Sequence, residues 1–124
     1  MKLALRETEV TLIEANAKKA AFLGEVIRAL RLSGVRVVRE RTESIKLSAP
    51  LGDCITSRAV GRFPSLLGWC AKALEPGGKV ILWVAAIDAG AIRSIGGWGW
   101  QNPISLPGSE RRVLMVGCST WNAL

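Results

Sequence analysis

Histidine and tyrosine are absent from this chain of 124 residues, and phenylalanine occurs only twice. A cysteine nucleophile would therefore lack the histidine that ordinarily activates it. Cys54, Cys70 and Cys118 are odd in number, show no CxxC spacing and lie within or beside apolar segments. Neither a disulfide framework nor a zinc site is indicated, and reduced, buried thiols are expected. No run approaches the roughly 20 uncharged apolar residues that a spanning helix needs. Residues 1–30 carry charges throughout, so they do not read as a secretory leader, and a cytoplasmic location is expected. Internal repeats, linkers and low-complexity segments are missing as well.

What is present is an apolar, basic chain. Hydrophobic side chains make up 49% and charged ones 22%, a balance that excludes a disordered tail and predicts one packed domain over residues 1–124. Lysine and arginine number 17 against 10 acids, a formal net charge of +7. Residues 1–62 hold 12 basic and 7 acidic groups, while residues 63–124 hold 5 and 3. Such an excess attracts polyanions such as RNA, and it equally suits a generally basic protein without such a partner.

The patterning alternates strand and helix. Val10-Thr11-Leu12-Ile13 is a β-prone run, and Leu23, Val26, Ile27 and Leu30 follow at helical spacing, with Asn16 placed as N-cap and Ser33-Gly34 as the stop. Val35–Val38 then reads as a strand, which completes a crossover unit and implies two parallel strands. Cys54–Thr56 predicts a third strand, and Leu66, Leu67, Cys70 and Leu74 mark a helix that Glu75-Pro76-Gly77-Gly78 stops. The unbroken Val80-Ile81-Leu82-Trp83-Val84 predicts a central strand covered on both faces. Residues 86–95 suit a short helix using Ile87, Ile92 and Ile95, before a loop or bulged strand entry at Gly96–Trp100. Ile104 to Leu106, Pro107-Gly108 and Val113–Val116 predict a closing antiparallel hairpin.

In doubly wound sheets ligands sit outside the carboxyl ends of the strands, where an acid can accept hydrogen bonds from both ribose hydroxyls. Glu14 stands at such an end; a solvated loop acid or a helix-dipole partner would occupy the same position. The order of segments Val10-Thr-Leu-Ile-Glu-Ala-Asn-Ala-Lys-Lys-Ala-Ala-Phe-Leu23, Arg41-Thr-Glu43 and Ile55-Thr-Ser-Arg-Ala59 resembles one family. It is similar to the glucose-inhibited division protein B family, the guanine-N7 methyltransferases of small-subunit ribosomal RNA. Leu66-Leu-Gly-Trp-Cys70, Leu74-Glu-Pro-Gly-Gly78 and Leu106-Pro-Gly-Ser-Glu-Arg-Arg112-Val-Leu extend the likeness over almost the whole chain.

The resemblance implies an α/β, Rossmann-like class I S-adenosylmethionine methyltransferase fold, with a mostly parallel sheet and an antiparallel carboxy-terminal hairpin. It implies that Glu14 binds the cofactor ribose, that Arg41, Thr42 and Glu43 line the adenine pocket, and that Arg58 faces cofactor or RNA. Lys18, Lys19, Arg111 and Arg112 would lie near phosphates of ribosomal RNA, although taken singly each reads better as a solvated charge. Against the family's pattern, the first strand and its glycine-rich turn would precede Met1, with Met1–Leu5 as the tail of the next helix. Val84 and Ala85 also stand where the family carries lysine and glycine. A truncated form with impaired activity is therefore expected, and a non-catalytic RNA- or protein-binding module is the alternative. A nicotinamide-dinucleotide enzyme is disfavoured, because no G-x-G-x-x-G occurs.

Guanine N7 carries a lone pair and no proton, so methyl transfer to it needs alignment rather than a general base. The lack of histidine is then no obstacle. Trp98 and Trp100, flanked by glycines, are the best candidates to stack on unpaired bases, whereas Trp69 and Trp83 sit in apolar periodicity and read as core. Loss of the first strand would bare the edges of the strands at residues 10–13 and 54–56. Three repairs would follow from that: direct pairing of the two strands, segment exchange, or a homodimer, which is the favoured outcome.

Overall fold

The computed structural model describes residues 7–58 and 61–120. Met1–Leu5 and Ala59, which figure in the expectations above, lie outside the described residues. The chain divides into two compact units, one ending at Lys46 and one starting at Leu47.

The first unit is a strand–helix–strand crossover. Strand β1, Val10–Ile13, pairs in parallel with β2, Val35–Val38, in the register Val10 to Val35 through Ile13 to Val38. The Glu14 N–H donates to the Val38 carbonyl at 2.9 Å and so carries the ladder one residue beyond β1. Between the strands runs helix α1, Ala17–Ala29, whose N-cap is Asn16: its side-chain oxygen accepts from the Lys19 N–H at 3.0 Å. The helix ends before the expected Ser33-Gly34, because Arg31 itself adopts the left-handed conformation at φ 51° and Leu32 N–H reaches back to the Ile27 carbonyl. Ala20 is this unit's only buried hydrophobic side chain among the described residues. Two strands and one helix enclose very little, as expected of so small a sheet.

The second unit carries a five-stranded mixed sheet. Its strands are β3 (Gly52–Arg58), β4 (Leu74–Ala85), β5 (Trp98–Trp100), β6 (Ile104–Ser105) and β7 (Arg112–Ser119), ordered β3-β4-β7-β5 with β6 also pairing β7. β3 and β4 are parallel, joined by helix α2, Phe63–Ala73, while β7 runs antiparallel to β4, β5 and β6. The third strand is longer than Cys54–Thr56 because the β4 ladder extends it at both ends. Helix α2 ends at Ala73, so Leu74 opens β4 rather than closing the helix, and Glu75-Pro76-Gly77-Gly78 falls within β4 at a register shift: Gly52 faces Leu74, but the next partners are Cys54 and Lys79. Gly78 fits there because a Cβ would lie 2.9 Å from the Asp53 and Glu75 carbonyl oxygens.

The core lies on one face of this sheet. Phe63, Leu67, Cys70 and Ala73 recur at helical spacing along α2 as its buried residues, and the first three cluster with Val80, Leu82 and Val84 of β4 and Val113 and Met115 of β7. Removing each large side chain from water contributes about 1.5–3 kcal/mol. Ile81 and Trp83, which alternate with these, remain half-buried, so β4 is covered fully on one face only and Trp83 is not a core residue. Trp69 does pack against the core cluster.

Residues 86–95 break their expected pattern. A single 3-10 turn, Ala86–Asp88, precedes the short helix α3, Ala89–Arg93. The change of period leaves Ile92 fully buried and turns Ile87 outward at 90% exposure. The expectation of uniformly buried thiols fails at Cys54, which is exposed; Cys70 is buried and Cys118 half-buried, all three free. Cys54, Thr56 and Arg58 alternate away from the core face that Ile55 joins. Burial pushes the Cys70 thiol up to about 12. Cys54 is raised by partial burial, opposed by the Lys79 charge and assisted by Asp53.

Trp98 and Trp100 are not free stacking platforms. Their register, opposite Ser119 and Gly117, turns them onto the core side, where both pack on the cluster with ring centroids 5.9 Å apart. Among the described residues, β1 is paired on one edge by β2 and β3 on one edge by β4.

Candidate functional site

In the first unit the carboxyl ends of β1 and β2 lie side by side, since the strands are parallel and in register. Glu14 follows β1 directly and is half-buried. Its carboxylate accepts from the Asn16 N–H at 3.3 Å, which orients the side chain at the helix entrance and leaves most of its lone pairs for other donors. After β2 the chain turns through Arg41 and a 3-10 turn at Thr42–Ser44, closed by Ser44 N–H to the Arg41 carbonyl at 2.9 Å.

These two chain ends frame an open hollow of about 310 Å³ lined by Ile13, Ala15, Glu40, Arg41, Thr42 and Glu43. The structure thus brings Arg41, Thr42 and Glu43 together at the rim where Glu14 stands, although Glu14 contributes no lining atom. Sequence reasoning missed Ile13, Ala15 and Glu40. Their signal was adjacency to Glu14 and to the end of the second strand, where the rim rule places ligands. Lys18 and Lys19 are exposed in the first turn of α1, which carries no acid.

In the second unit, Arg58 ends β3 opposite Trp83, and Arg112 begins β7 opposite Ala85. The Arg111 carbonyl accepts from the Ala86 N–H at 2.7 Å. Parallel β3 and β4 with antiparallel β7 therefore gather Arg58, Arg111 and Arg112 at one rim, the carboxyl end of β3 and β4. All three are exposed, and among the described residues the only ion pair is Arg28 with Glu25. Arrays of exposed, uncompensated cations suit phosphate contacts.

The family model for rRNA small subunit methyltransferase G, GidB, matches residues 1–92. The chain belongs to this family. Among curated relatives, the ribosomal RNA small subunit methyltransferase G of Xanthomonas euvesicatoria is 31% identical over 115 residues, covering 89% of this chain and 54% of the relative. That of Thermobifida fusca is 40% identical over 77 residues, covering 60% of this chain and 31% of the relative. The chain spans about half or less of the length of these relatives. A methyltransferase crystal structure from Pyrococcus furiosus superposes with a TM-score of 0.75 at 21% identity, covering 95% of this chain and 68% of that one. The chain therefore has the Rossmann-like class I methyltransferase fold. No helix among the described residues is long and apolar enough to cross a membrane.

Proposed function

We propose that this chain serves an S-adenosylmethionine-dependent methyltransferase of small-subunit ribosomal RNA acting at guanine N7. The match of the family model to residues 1–92 carries the reading. The open hollow beside Glu14 supports it, because it lies at the carboxyl rim of the strands where folds of this kind place nucleosides. Glu14 would accept from the ribose hydroxyls. Arg41, Thr42 and Glu43 would border the adenine, with Ile13 and Ala15 as apolar floor. Bound there, the cofactor supplies an electrophilic methyl group on sulfonium. The chain's own share is to hold the nucleoside in register and the RNA phosphates on Lys18, Lys19, Arg111 and Arg112, with Arg58 facing cofactor or RNA. No side chain need remove a proton, because guanine N7 bears none, and a protein without histidine is adequate to that task.

The test is transfer of a labelled methyl group from S-adenosylmethionine to small-subunit ribosomal RNA, with N7-methylguanosine identified in the digest. RNA binding without transfer would instead favour the second reading, a non-catalytic RNA-binding module with the methyltransferase fold. We further propose a cytoplasmic homodimer in which the edges of β1 and β3 that carry no partner among the described residues are covered. Exposed Phe22, Leu30 and Leu51 support association, since each leaves apolar surface in water.

A further inference from the structure

Ile87 is the most exposed large hydrophobic residue among those described, at 90%, against 66% for Phe22 and 52% for Leu30. It does not dangle: its turn is closed by Ala89 N–H on the Ala86 carbonyl and tied to Arg111 through the Ala86 N–H. The turn follows β4 at the carboxyl rim of the second unit's sheet, the rim that also carries Arg58, Arg111 and Arg112. The nearby acids are Asp88 and Glu110, and neither is ion-paired. One isolated apolar side chain is far smaller than the patch of several hundred Å² that a protein partner covers. A single nucleobase face, by contrast, is matched by one side chain, and the surrounding cations match the phosphates on either side. In a duplex that face is stacked and hidden, so the strand must be single.

We propose that Ile87 is the apolar platform on which one unpaired base of an RNA strand rests, with Arg58, Arg111 and Arg112 taking the flanking phosphates. This rests on the RNA-directed reading above. It assigns to that rim an apolar contact with one base face, beside the charge that the arginines supply.

The test is a titration of the full chain, observed through isoleucine δ1-methyl NMR signals, with a five-nucleotide single-stranded RNA centred on guanosine. The same sequence in a duplex and inorganic tripolyphosphate serve as controls. The Ile87 methyl is expected to move upfield under the ring current of the base with the single strand, and to stay in place with tripolyphosphate. Ile87→Ser should weaken single-strand binding roughly tenfold, the scale of burying one isoleucine side chain, while leaving tripolyphosphate binding unchanged. Arg111→Glu should weaken both. RNA binding with an unmoved Ile87 methyl would overturn the platform and leave the RNA-directed reading standing. A methyl that moves with protein concentration alone would assign the contact to a second copy and overturn it too. Complete absence of RNA binding would remove both readings.

Discussion

Trp100 lies with its six-membered ring against the backbone of Gly117, its cross-strand partner, so closely that a Cβ built on Gly117 would come within 2.6 Å of the ring. The indole thus occupies the room that a side chain on β7 would need. Gly117→Ala must push Trp100 off the core cluster or bend β7, and overpacking of this kind costs about 1–3 kcal/mol. Urea unfolding followed by tryptophan fluorescence is expected to show a lower midpoint. An unchanged midpoint would mean that the ring is free to move aside.

Cys70 gives stability a defined dependence on alkaline pH. Its folded value of about 12 lies above the ordinary thiol value of 9.0, so between those limits the folded chain keeps a proton that the unfolded chain loses. Stability should fall across pH 9 to 12, by on the order of 1 kcal/mol per pH unit from this group. Cys70→Ala, though less stable at pH 8, should flatten that slope. Denaturant midpoints at pH 8, 9.5 and 11 for both proteins measure it, and equal slopes would contradict the assignment.

Affinity for S-adenosylmethionine should be weak in this chain, because the hollow at the β1–β2 rim is open and encloses little of a ligand's surface. Calorimetry is expected to give a dissociation constant above the micromolar range. Glu14→Gln should weaken it further by about tenfold, the scale of a hydrogen bond to a charged group. Micromolar or tighter binding by the unaltered chain would show that more of the cofactor is held than this hollow accounts for.

Sedimentation velocity over a range of concentrations should reveal dimers. A few hundred Å² of apolar surface at about 25 cal/mol per Å² outweighs screened repulsion between two basic chains. A monomer that persists at high concentration would refute the homodimer.

The features legible in the sequence were those with local causes. Val10–Ile13 and Val35–Val38 announced themselves as β-prone runs, and Asn16 as a cap, because a cap is made by residues three apart. The extent of β3 was not legible, since its ends are set by the β4 ladder. The orientation of Trp98 and Trp100 was likewise hidden, because it depends on register with residues near 118. Ile87 was misplaced for a different reason: one 3-10 turn before α3 rotates it off the face that Ile92 keeps. At the candidate site, Arg41–Glu43 came from family likeness. Glu40 needed the knowledge that β2 stops at Val38.

β4 is flanked by a parallel neighbour and an antiparallel one along Lys79–Trp83, so its amides can reach solvent only when one of those ladders opens. Amide hydrogen exchange should accordingly be slowest at Val80, Leu82 and neighbouring positions, at the free energy of opening the whole second unit. β1 and β2, which share a single ladder over one buried alanine, should exchange much sooner. The half of the molecule with the hollow would then be the one that opens and closes most often. A ligand bound there would register first as slowed exchange in Val10–Ile13, well before the stability of the second unit changed.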